Sequence, residues 1–129
     1  MSHDLTPDEL AFVQSAFDHA RGGDLPALVE VLDAGVPANL TNSAGDSLLI
    51  LAAYHVHGDV VRELIERGAD HSRVNDKGQT ALGAAVFRQD TGIVTALLDA
   101  GADPDLGPKS AVAIATFFDL PDMLALLQR

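Results

Sequence analysis

Apolar residues recur along this chain in short helical clusters separated by polar, turn-rich gaps. Leu49, Leu51 and Ala52 share one face of a helix, and Val60, Val61, Leu64 and Ile65 share one face of the next. An isolated helix shorter than roughly 12–15 residues is marginal in water, so the pattern predicts helix pairs held together by stacking. Every second cluster runs into a glycine, in Val31-Leu32-Asp33-Ala34-Gly35, Leu64-Ile65-Glu66-Arg67-Gly68 and Leu97-Leu98-Asp99-Ala100-Gly101. Those glycines are predicted to close helices in the left-handed conformation. Ser47, Thr80 and Ser110 open the following apolar runs, where a hydroxyl can accept the bond of an unpaired helix N–H. Thr6-Pro7-Asp8-Glu9 combines Pro at the first helical position with capping-box spacing. It predicts a longer first helix reaching about Arg21, with Asp24 to Leu32 as its partner.

Gly35, Gly68 and Gly101 stand 33 residues apart, and Gly45 and Gly78 repeat at the same step. Two independent markers in one register define an internal repeat. The third unit reads Asn75-Asp76-Lys77-Gly78-Gln79-Thr80-Ala81-Leu82, continues through Ala84-Ala85 and ends Ala100-Gly101-Ala102-Asp103. The second keeps Leu51-Ala52-Ala53 and Gly68-Ala69-Asp70. A fourth begins at Ser110, three residues early, and Asp122-Met123-Leu124-Ala125-Leu126-Leu127 supplies its second helix.

These words and the 33-residue period resemble the ankyrin-repeat family over nearly the whole chain. The resemblance implies an all-α solenoid of stacked helix-turn-helix units joined by short β-turn fingers. It implies one domain, 1–129, with repeats at about 6–39, 40–72, 73–105 and 106–129, the first and last serving as caps. Three departures stand out. Leu48 and Ile50, then Ala81 and Gly83, replace the Pro and His of the family's T-P-L-H. The inter-helix glycine survives only as Gly23, with Val56 and Gln89 in its other positions. Gly58 and Gly92 lie close by, which leaves open a shifted turn.

Composition narrows the function. A net charge of −11 disfavours nucleic acid and anionic membranes, both of which reward Lys and Arg. With 47% hydrophobic residues the chain is nevertheless a folding one. No apolar run approaches the roughly 18 residues of a membrane span, and Met1-Ser2-His3-Asp4 lacks the basic start of a signal peptide. The absence of cysteine excludes disulfides and thiolate zinc sites. A soluble cytoplasmic protein, monomeric when free, is expected.

Chemistry finds little purchase. His55-x-His57, with Asp59 and His71 nearby, invites a metal, but positions i and i+2 do not share a helix face. The resemblance puts His57 at the family's structural G-H position and His19 at a small, packed position. Asp103-Pro104-Asp105 lacks the Gly and Glu of a calcium loop and reads as a shortened finger. No G-x-S-x-G, H-E-x-x-H or phosphate-binding glycine loop occurs. The chain is therefore expected to be no enzyme and to carry no metal or cofactor.

The resemblance also implies that the two residues after each L-A-A face the concave groove. The first such column is Arg21, Tyr54, Phe87 and Phe117; the second is Gly22, His55, Arg88 and Phe118. Four of the six aromatic residues fall in these columns, and aromatics and Arg are enriched in interface cores. End-capping is the competing explanation for Phe117 or Phe118. Ser43, Ala44, Asp46, Asp76, Lys77 and Gln79 would flank the stripe from the fingers. The expected function is binding another protein in the groove, as adaptor or inhibitor. The alternatives are an accessory protein that assists a partner enzyme and, remotely, a metal carrier or enzyme using His55, His57 and His71.

Overall fold

The computed structural model describes residues 5–128, so Met1-Ser2-His3-Asp4 lies outside the described residues. The described residues form eight helices: α1 (Pro7–Gly22), α2 (Leu25–Asp33), α3 (Leu48–Tyr54), α4 (Gly58–Glu66), α5 (Ala81–Arg88), α6 (Thr91–Asp99), α7 (Ala111–Phe117) and α8 (Pro121–Leu127). Extended pairing among them is limited to two isolated bridges, Thr41 with Ser47 and Gln79 with Lys109. The fold is all-α, as the resemblance implies.

Local chemistry sets the helix ends. Thr6 accepts from the Glu9 N–H while the Glu9 carboxylate accepts from the Thr6 N–H, a complete capping box. These bonds hold the Glu9 pKa below its usual value. The hydroxyls of Ser47, Thr80 and Ser110 accept from the N–H groups of Ile50, Gly83 and Ala113. All three hydroxyl residues are buried, and at Ile50 and Gly83, themselves buried, the cap pairs a donor that water could not reach. Gly35, Gly68 and Gly101 have φ of 105°, 81° and 97°, the left-handed closure expected of them.

Inner helices α1, α3, α5 and α7 stack in series, each backed by its own partner α2, α4, α6 or α8. Small residues make the inner stack close: Ala16, Ala20, Ala52, Ala53, Ala85, Ala111 and Ala115 are all buried. Larger side chains, including Leu28, Leu64, Ile93 and Leu97, fill the layer between inner and outer helices. Removing Leu64, which is fully buried in the second repeat, would leave a cavity and cost about 2–5 kcal/mol.

The turn inside each helix pair is not shifted toward Gly58 or Gly92, which are helical residues of α4 and α6. Instead Val56, Gln89 and Asp119 take up left-handed φ of 59°, 58° and 53°, matching Gly23 at 73°. Stacking of successive pairs demands one turn geometry, and it overrides the preference of these side chains. Val56 carries the largest penalty, because a β-branched side chain crowds the backbone in this region.

Candidate functional site

Tyr54 ends α3, Phe87 is the penultimate residue of α5, Phe117 ends α7 and Phe118 caps it. Their 33- and 30-residue spacing becomes physical adjacency once the inner helices stack. The rings of Tyr54 and Phe87 lie 6.3 Å apart and nearly parallel, at 6°. Phe87 meets Phe118 edge-on at 5.4 Å, and Phe118 meets Phe117 at 4.9 Å. His55 extends the row, edge-on to Tyr54 at 5.2 Å. All four Tyr and Phe rings are exposed, Phe117 to 81% and the others to between 41% and 50%. Such a contiguous exposed aromatic surface is unusual on a folded chain.

Arg88 lies over the Tyr54 ring at 5.5 Å and donates from its guanidinium to the Tyr54 carbonyl at 3.0 Å. Arg21 is exposed and paired with Asp18 within α1, so it flanks the row rather than stacking in it. Gly22 is exposed and contributes no side chain. The His55 pKa is lowered, first by partial burial and then by the charges of His57, Arg21 and Arg88.

Beneath the row runs a groove of about 540 Å³ between the inner helices and the fingers. Phe87, Phe117 and Phe118 wall it, Gly83 and Ala113 floor it, and Pro108 and Lys109 form its finger side. The floor went unnoticed in the sequence, although a signal was there. Gly83 and Ala113 each stand four residues before an aromatic, one helical turn away on the same face.

The finger residues divide. Ser43, Asp76 and Lys77 are exposed at the tips, whereas Asp46 and Gln79 are half-buried. Both carry structural bonds: the Asn75 amide donates to the Asp46 carboxylate at 2.7 Å and to the Gln79 side-chain oxygen at 3.0 Å. The side-chain oxygens of Asn42 and Asn75 accept from two N–H groups each and hold the finger turns. Gln79 still reaches the groove wall.

The histidines stay apart in role. His57 Nε2–H donates to the Arg21 carbonyl at 2.7 Å, a contact between repeats. His19 is half-buried on α1. Among the described residues no three His, Asp or Glu side chains are grouped to hold a metal ion. None of the described helices is long and apolar enough to cross a membrane.

Comparison with known proteins agrees with the stacked architecture. The pattern of the family described as ankyrin repeats matches three copies across residues 17–107. A Pseudomonas aeruginosa protein named as an ankyrin repeat protein is 48% identical over 59 residues, covering 46% of this chain and 34% of that protein. The human ankyrin repeat domain-containing protein 29 is 43% identical over 63 residues, 48% of this chain and 21% of the human one. The matched region thus spans about a third or less of these relatives' own lengths. With its 33-residue period, hydroxyl caps and left-handed closures matched across most of its length, the chain belongs to the ankyrin-repeat family.

Proposed function

We propose that this chain is a protein–protein interaction module that docks a partner in the groove beneath Tyr54, Phe87, Phe117 and Phe118. Ankyrin repeats in general mediate such contacts, and the observation carrying the reading here is the unbroken exposed aromatic row. Burying four exposed rings supplies the apolar centre that interface energetics require. The exposure of Phe117 at 81% and Phe118 at 50% supports a docking role for them over an end plug.

Bound in this way, the module acts as an adaptor or as an inhibitor of its partner. The test is comparative affinity purification from the source cell with the parent, Tyr54→Ala, Phe87→Ala and Arg62→Ala. A partner retained by the parent and by Arg62→Ala but lost by both groove variants supports the reading. A partner indifferent to the groove variants moves the site elsewhere, to the fingers first. Assaying the recovered partner with and without the module then separates inhibition from assistance.

A further inference from the structure

The groove differs in charge from the chain that forms it. The chain carries −11 overall, yet among the described residues no carboxylate lines the groove, and the only ionised side chain in its lining is Lys109. Arg88 stands at its Tyr54 edge. Among the described residues neither cation is in an ion pair, since the pairs formed there use Arg21 and Arg67. One guanidinium nitrogen of Arg88 is committed to the Tyr54 carbonyl; the residue is exposed and retains further N–H donors, of five in total on any arginine. The carboxylate nearest Arg88 in sequence, Asp90, accepts from the Ile93 N–H as the cap of α6, and Asp105, four residues before Lys109, is exposed and outside the groove lining. Asp76 Oδ1 lies beside Gly45 of the preceding finger, and Asp119 follows Phe118 in the exposed turn.

Shape comes from a single column of the repeat. Ile50 fills it in the second repeat and is buried. Gly83 and Ala113 occupy the same column in the third and fourth repeats, and Ile114 and the Lys109 carbonyl pack directly against Gly83, so the floor under Phe87 and Phe117 is low and closed. Ile114 closes the far side. The result is an apolar slot with Lys109 on its finger side and Arg88 beside Tyr54 at its edge.

We infer that the groove takes a short acidic segment of the partner. The segment inserts an aromatic or large aliphatic side chain over Gly83 and Ala113, and sets carboxylates against Arg88 and Lys109. This identification rests on the docking role proposed above. Charge complementarity selects the acidic sign locally, because two cations with no carboxylate in the lining between them favour an anionic ligand within a few ångströms. Beyond a Debye length of roughly 8–10 Å the chain's overall negative charge is screened, but it still disfavours a long polyacidic tail. A segment with few carboxylates beside an apolar anchor satisfies both conditions.

The test is to pan a random linear-peptide display library against the full chain, then to titrate the enriched peptides against parent, Phe87→Ala, Ala113→Leu, Lys109→Glu and Arg62→Ala proteins. Melting curves confirm that each variant is folded; Ala113, Lys109 and Arg62 are exposed, so those three variants keep the comparison valid even if Phe87→Ala is destabilised. The expected consensus joins Phe, Trp or Leu to Asp or Glu. Affinity should fall about tenfold or more in Ala113→Leu, which fills the slot, and about tenfold in Lys109→Glu, with Arg62→Ala unchanged. Basic or uncharged peptides that still lose affinity in Ala113→Leu overturn the acidic assignment and leave the docking groove standing. Peptides indifferent to both Phe87→Ala and Ala113→Leu, or no enrichment at all, overturn the assignment and the docking role together.

Discussion

The imidazole of His57 donates through Nε2 to the carbonyl oxygen of Arg21 at 2.7 Å, joining the start of α4 to the last turn of α1. A helix ends with carbonyls that have no partner inside it, and the second repeat supplies one for the first. The ring sits so close that a Cβ on Gly23 would come within 2.5 Å of it. His57→Ala should therefore cost about 1–2 kcal/mol, through one lost hydrogen bond and the packing around it. Gly23→Ala should cost more, since it adds a collision to a φ of 73°. Urea denaturation of both variants measures the order; equal midpoints for Gly23→Ala and the parent would contradict it.

Val56 and Gly68 both hold positive φ, at 59° and 81°, so substitution should move stability in opposite directions. Val56→Gly removes a left-handed strain of about 1–2 kcal/mol, less the roughly 0.5–1 kcal/mol of added chain entropy. A net gain of about 0.5–1 kcal/mol is expected. Gly68→Ala meets no atom within 4 Å, so its cost is backbone strain alone, about 1 kcal/mol. The same urea melts check both signs.

The aromatic row is partly buried, which sets the stability cost of probing it. Phe87→Ala loses contact with Tyr54 and Phe118 and should destabilise by about 1 kcal/mol. Phe117, 81% exposed, should lose less than about 0.5 kcal/mol on truncation. Partner affinity, measured under conditions where each variant is folded, should fall by about 1–2 kcal/mol or more for Phe87→Ala and Tyr54→Ala. Thermal melts alongside titrations distinguish a binding loss from an unfolding one.

His55 has a folded pKa below its ordinary 6.5, with partial burial the leading cause and the charges of His57, Arg21 and Arg88 adding to it. The unfolded chain then binds the proton more readily than the folded one. This contribution to stability is complete above the unfolded value of 6.5 and is lost as pH falls through the lower folded value. Stability measured from about pH 7 down to about pH 5 should decline more steeply in the parent than in His55→Gln. Parallel curves would remove His55 as the source.

Zinc, nickel and cobalt should show no stoichiometric sub-micromolar binding by calorimetry. The expectation rests on His57, whose Nε2 is committed to Arg21. A tight site abolished by His55→Ala would overturn it.

The repeat period, the hydroxyl caps and the closing glycines were legible in the sequence because each is a local matter. A glycine with positive φ or a Ser accepting an N–H three residues on depends on its immediate neighbours. The two columns holding Tyr54, Phe87, Phe117 and Phe118 were legible for a related reason, since a fixed period turns spacing into adjacency. Three features were settled by the tertiary structure alone. Val56, Gln89 and Asp119 accept a glycine's conformation because the stacked pairs around them impose the turn. Asp46 and Gln79 are drawn half inward because Asn75 bonds to both. The groove forms because Phe87 of α5, Phe117 of α7 and the finger residues Pro108 and Lys109 come together from adjacent repeats. Each depends on atoms brought together from separate repeats or fingers, which no local pattern encodes.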